Sequence, residues 1–160
     1  MIHSAGNKSL NIDSPLRYPT AELANGKRVD NVMRVGASGE SITKLACDFS
    51  NYGKKQVDVF APGELLTVPT LNNKFIDNGY GTSFATPIVS GLTALLWSYY
   101  QELNYKQIIY CVKESAKPIE NETFKPGSND KIKFSQLSKM GGIVNLYNAI
   151  NIAQSLIQKN

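Results

Sequence analysis

Between Thr82 and Trp97 the chain is apolar on nearly every side of a helical projection. Ala85, Ile88, Val89, Leu92, Leu95 and Leu96 recur at the three- and four-residue spacing of a helix, and the far face is almost as apolar. This pattern predicts a buried helix rather than a surface one. Pro87 suits its first turn, where a missing N–H costs nothing. Gly91 is about 1 kcal/mol worse than Ala inside a helix, which implies close backbone packing there. Asn31–Ala37 carries a strand signal, and Val57–Gly63 alternates like a strand and ends at Pro62-Gly63. Residues 65–78 predict a hairpin-like excursion with Asn72-Asn73 at its turn. Ile108, Ile109 and Val112 form the stripe of a second amphipathic helix over Tyr105–Val112. Residues 11–30 and 118–130 are rich in turn formers and predict loops.

The chain's 160 residues suit one domain, and 42% apolar with 19% charged content predicts a packed core rather than disorder. The net charge of +4 is scattered; Lys54-Lys55 reads as a solvated loop, which argues against a nucleic-acid partner. Cys47 and Cys111 could form one disulfide or none, and two buried free thiols is the expectation. Neither lies in a C-x-x-C, and a single histidine argues against a zinc site. No apolar run approaches the ~18 residues of a membrane span, and Met1–Ser4 shows no signal peptide. Gly6-Asn7-Lys8-Ser9 lacks the spacing of a P-loop.

Two stretches carry candidate chemistry. Ser83 falls at the start of the predicted helix, where unpartnered backbone N–H groups stabilise negative charge. An oxyanion beside it would be favoured, although Thr82 or Ser83 could equally be a simple N-cap. Ser4, Ala5 and Gly6 let a backbone bend sharply or approach a ligand closely, and Asn7 follows them. Asn7 is either a turn residue or an amide donor.

The string G-T-S-F-A-T-P followed by I-V-S-G resembles the nucleophile motif of the subtilisin-like serine proteases, with Ser83 on the nucleophile. It is not a G-x-S-x-G elbow, because Ala85 stands where that motif needs glycine. Further segments resemble the same family: S-A-G-N ending at Asn7, R-Y-P-T at Arg17–Thr20, which the resemblance makes the lining of the pocket for the side chain before the scissile bond, V-G-A at Val35–Ala37, F-S-N-Y-G at Phe49–Gly53 as a structural turn, V-D-V-F-A-P-G at Val57–Gly63, and G-G-I-V-N at Gly141–Asn145 before a last helix. Val144, Tyr147, Ala149, Ile150, Ala153 and Leu156 give that helix its buried side. The resemblance implies that Asn7 donates its amide to the oxyanion, with the Ser83 N–H as the second donor. It implies a cleft bordered by Ser4, Ala5 and Gly6, a fixed wall at Pro19, a backbone kept clear of substrate at Gly81, and an added hydroxyl at Thr82.

The implied fold is α/β, a three-layer α/β/α arrangement with a mostly parallel sheet. The resemblance covers nearly all of residues 1–160 but only the C-terminal part of the family's catalytic domain. The family's nucleophile is activated by a histidine in an H-G-T motif and by an aspartate, both upstream. Neither motif is present, and His3, four residues before Asn7, is expected to be structural. The reading is therefore the nucleophile and oxyanion portion of a serine endopeptidase, inactive alone. Its expected partners are a peptide substrate and the remainder of its own domain, whose loss leaves an exposed sheet edge. No cofactor or metal is needed for such chemistry. Structural calcium is common in the family, but no ligand set matches here. An inert interaction module on the same scaffold is the alternative, and a small-molecule hydrolase a weaker one. The family is mostly secreted or envelope-associated, which implies the same for the parent protein.

Overall fold

Four strands, β1 (Ile2–Ser4), β2 (Met33–Ser41), β3 (Lys44–Ala46) and β4 (Val59–Pro62), form the main sheet of the computed structural model, which describes residues 1–15 and 17–158. The expected 11–30 loop includes Leu16, which lies outside the described residues. β2 is the spine. It runs parallel to β1 through His3↔Arg34 and parallel to β4 through Gly36↔Phe60, and it turns back antiparallel onto β3. Among the described residues no strand pairs the outer side of β1, so the expected open edge is present.

Alternation along β2 and β4 sorts the two faces. Met33, Val35, Ala37, Val59 and Ala61 point to one face, where α1 (Thr82–Tyr99) packs on them through Ala85, Val89, Leu92 and Leu96. Burying side chains such as Val89 and Leu96 contributes about 1.5–3 kcal/mol each. The α2 (Tyr105–Ser115) and α3 (Leu146–Ile157) helices complete this face through Ile108, Cys111, Val112, Ala149 and Ala153. On the other face Phe60 meets Phe134, with ring centroids 5.0 Å apart, and Ile12, Tyr52, Val57 and Leu137 close around them. This second layer is built from connecting segments and one short 3-10 turn, Phe134–Gln136, with no α-helix among the described residues. The α/β class and the partly parallel sheet are as expected. Two hairpins lie outside the sheet: β5 (Leu66–Pro69) with β6 (Phe75–Gly79), and β7 (Glu122–Phe124) with β8 (Lys131–Lys133).

Several expectations need correction. The long helix is not buried all round: Ile88, Leu95 and Trp97 are exposed, because neither the sheet nor another helix covers that side. Gly91 meets nothing within 4 Å of where a Cβ would stand, so close packing does not explain it. The helix begins at Thr82, which puts Pro87 inside it rather than in its first turn. The stretch 118–130 is not a plain loop but contains most of the β7–β8 hairpin. On α3 only Ala149 and Ala153 are fully buried, and Tyr147 is 73% exposed. The two cysteines are buried free thiols, as expected, and Asn72 and Asn73 do form the β5–β6 turn with positive φ.

Candidate active site

β1 ends at Ser4, and the chain turns sharply through Ala5 and Gly6 into Asn7. Asn51 clamps that turn. Its amide donates to the Ala5 carbonyl at 2.8 Å, and its Oδ1 accepts from the Lys8 and Leu10 N–H groups at 3.1 and 3.0 Å. A side chain on Gly6 would strike this amide at 2.5 Å, and Gly6 has φ +102°, so glycine is required twice over. The start of α1 arrives from the other side. Gly81 donates to the Gly63 carbonyl at 2.8 Å, tying the helix start to the end of β4.

The two segments meet through Thr82, which is 1% exposed. Its N–H and its hydroxyl both donate to Asn7 Oδ1, at 3.0 and 2.7 Å, and the hydroxyl accepts from the Gly6 N–H at 3.1 Å. An asparagine 75 residues away thus caps the helix, in place of a local side chain. Two donors converge on Oδ1, which settles the amide's orientation and turns Nδ2 outward. Asn7 Nδ2 and Ser83 Oγ lie 3.2 and 3.0 Å from the place a Cβ on Gly81 would occupy, so both border one small volume. Gly81, at φ +141°, leaves that volume empty. Ser83 is exposed, and no described residue hydrogen-bonds its Oγ or accepts its N–H.

A cavity of ≈ 320 Å³ extends from this point along Ser4, Ala5, Gly6, Asn7 and Pro19. Gly81, Thr82 and Ser83 are not among its walls; they meet Asn7 at its end. The far wall, Arg17–Pro19, is held from beneath. Arg34 on β2, only 3% exposed, donates from Nη2 to the Arg17 and Pro19 carbonyls. Burial and the nearby Arg28 push the Arg34 pKa down, against the pull of Asp58. Asp58 is itself paired with Arg28 at 2.9 Å and Lys113 at 3.0 Å.

Sequence reading places Arg17 in the pocket segment but does not anticipate Asn51, Arg34 or Lys8 as parts of this site. Asn51 lies in the F-S-N-Y-G match, whose sequence pattern signals only a turn. Lys8 directly follows S-A-G-N, which is the available signal for it, whereas Arg34 lies on β2 with none. His3 stands beside Arg34 in register, on the face opposite α1. Its Nδ1 donates to the Ser4 carbonyl at 3.0 Å, and its buried Nε2 has no hydrogen-bond partner among the described residues. Cys47 is no rival nucleophile: burial and Glu64 push its thiol pKa up to about 12. Among the described residues no three His, Cys, Asp or Glu side chains gather as a metal site. None of the described helices is long and apolar enough to cross a membrane.

Comparison with known proteins bears on the family and the fold. The model of the subtilase family matches residues 1–141. The Major intracellular serine protease of Bacillus subtilis is 40% identical over 83 residues, covering 52% of this chain and 25% of that protein. An Extracellular serine proteinase of a Thermus species is 35% identical over 92 residues, covering 57% of this chain and 22% of the relative. These two names point to opposite compartments. The solved structure of the prenylagaramide maturation protease PagA superposes with a TM-score of 0.67 at 27% identity, covering 95% of this chain and 50% of that one. The chain thus spans about a quarter of these curated relatives and half of the solved structure. The relatives are serine proteases by name, and a family match that runs from Met1 through both halves of the site leaves one assignment: the chain belongs to the subtilase family.

Proposed function

We propose that residues 1–160 are the C-terminal portion of a subtilisin-like catalytic domain and supply the nucleophile and oxyanion donors of a serine endopeptidase. Ser83 Oγ attacks the peptide carbonyl, and the developing oxyanion is held by Asn7 Nδ2 and the Ser83 N–H at the positive end of α1. The observation that carries this reading is the convergence of Asn7 Nδ2 and Ser83 Oγ on the space beside Gly81. Thr82 is a positioning residue: its hydroxyl proton is already given to Asn7, so it aims the amide instead of touching substrate. Ser4, Ala5, Gly6 and Pro19 border the substrate cleft. The base and its carboxylate come from the remainder of the domain, the chain's second partner besides the peptide.

A fluorogenic peptide assay on the isolated 160-residue chain tests the division of labour. The expected outcome is no turnover above buffer, because Ser83 has no base. Robust turnover abolished by Ser83→Ala would overturn it and return His3 to the reaction. Localisation follows the parent protein, for which secretion or envelope attachment is the proposal; an extracellular and an intracellular relative make direct fractionation the deciding measurement.

A further inference from the structure

We infer that the cleft beside Asn7 selects an acidic side chain at the substrate position just before the scissile bond. The inference rests on the protease reading above and adds the substrate class. Among the described residues, the only charged side chains lining the cavity are Lys8 and Arg17, both cationic. Both are exposed, and neither is in a salt bridge with a described residue. They stand on two walls: Lys8 directly follows the Asn7 donor, and Arg17 begins the opposite Arg17–Pro19 segment.

Neither wall is free to swing away. The Lys8 N–H is fastened to Asn51, and the Arg17 carbonyl to the buried Arg34. Arg34 also adds a second positive charge beneath the Arg17–Pro19 wall. The buried carboxylate nearest in the network, Asp58, is already engaged by Arg28 and Lys113 and cannot neutralise the cleft. A concave site lined by one sign of charge concentrates ligands of the opposite sign. A glutamate or aspartate entering it meets two cations, whereas a lysine meets repulsion with no carboxylate to relieve it. Because both cations are partly solvated, the discrimination is of the scale of two surface ion pairs and is screened by salt.

The test is an NMR titration of the ¹⁵N-labelled 160-residue chain with four acetylated hexapeptide amides that differ only in a last residue of Glu, Gln, Leu or Lys. The terminal amide removes the main-chain carboxylate, so only the side chain can carry the negative charge. The expected result is shifts at Gly6, Lys8 and Ser83 with the Glu peptide bound roughly tenfold tighter than its Gln isostere at low salt. The Lys peptide should be weakest, and the Glu–Gln gap should narrow in 0.5 M salt, where charges about a Debye length of 4 Å apart are screened. In the Lys8→Gln/Arg17→Gln chain the gap should vanish while the Gln peptide binds as before. Equal binding of Glu and Gln at the cleft overturns the charge selection and leaves the protease reading standing. A Glu preference that survives the double substitution overturns the assignment to Lys8 and Arg17. Absence of cleft shifts with all four peptides overturns the protease reading and this inference together.

Discussion

Asn7 divides its carboxamide between two tasks. Its oxygen accepts from both donors of Thr82, and its nitrogen faces the space beside Ser83. A buried hydroxyl that donates to one amide and accepts from the Gly6 N–H is fully used, so Thr82 holds geometry and has no proton left for a substrate. His3 offers a prediction at the same scale. Burial, and next to it the Arg34 charge, lowers its pKa below 6.5, while contacts with Ser4 and Asp58 pull the other way. The unfolded chain therefore takes up this proton first as the pH falls. The stability linked to His3 is intact above about pH 6.5, declines as the pH drops through the interval below it, and levels off beneath the folded-state pKa. Urea midpoints at pH 7.5 and 5.5 should thus differ less in His3→Gln than in the parent; an unchanged difference would refute the assignment.

At the scale of elements, α2 is the helix with the most complete start. Asn104 accepts from the Lys106 and Gln107 N–H groups at 3.0 and 3.2 Å, and the Gln107 side chain accepts in return from the Asn104 N–H at 2.9 Å. Asn104→Ala should cost about 1 kcal/mol, read as a lower denaturation midpoint at unchanged slope. The helices and the strands β2 and β4 were legible in the sequence because their apolar residues repeat at the period of the element. β7 and β8 were not: Glu122–Phe124 and Lys131–Lys133 are three residues each, too short to display alternation beside Pro126-Gly127-Ser128-Asn129. The exposed side of α1 was misjudged for a different reason. An all-round apolar helix records what could cover it, and the described residues cover only one side. In the candidate site, Ser83 and Asn7 can be singled out from the sequence because each sits inside a local motif, and the fold brings them to one small volume. Asn51 and Arg34 act through hydrogen bonds to backbone 46, 17 and 15 residues away, which no local pattern reveals.

Across the whole molecule, one sheet is shared by two cores of different make, helices on one face and connecting segments on the other. Phe60, with no exposed surface, packs against Phe134 beneath Gly36 and lies midway along β4, which also serves the helical core through Val59 and Ala61. Phe60→Ala should cost about 3–5 kcal/mol, a large share of the ~5–15 kcal/mol that holds a domain together. The expected outcome is one early, cooperative unfolding transition; separate melting of the two layers would show that the sheet does not couple them. The Asn7–Thr82 contact has a consequence of its own. Since a single carboxamide both staples the opening turn of α1 and, in the proposed reaction, aims the anion donor, that reaction would be lost on fraying of the turn, before the core melts. Under that proposal, labelling of Ser83 in the assembled domain would be a thermometer for one helical turn.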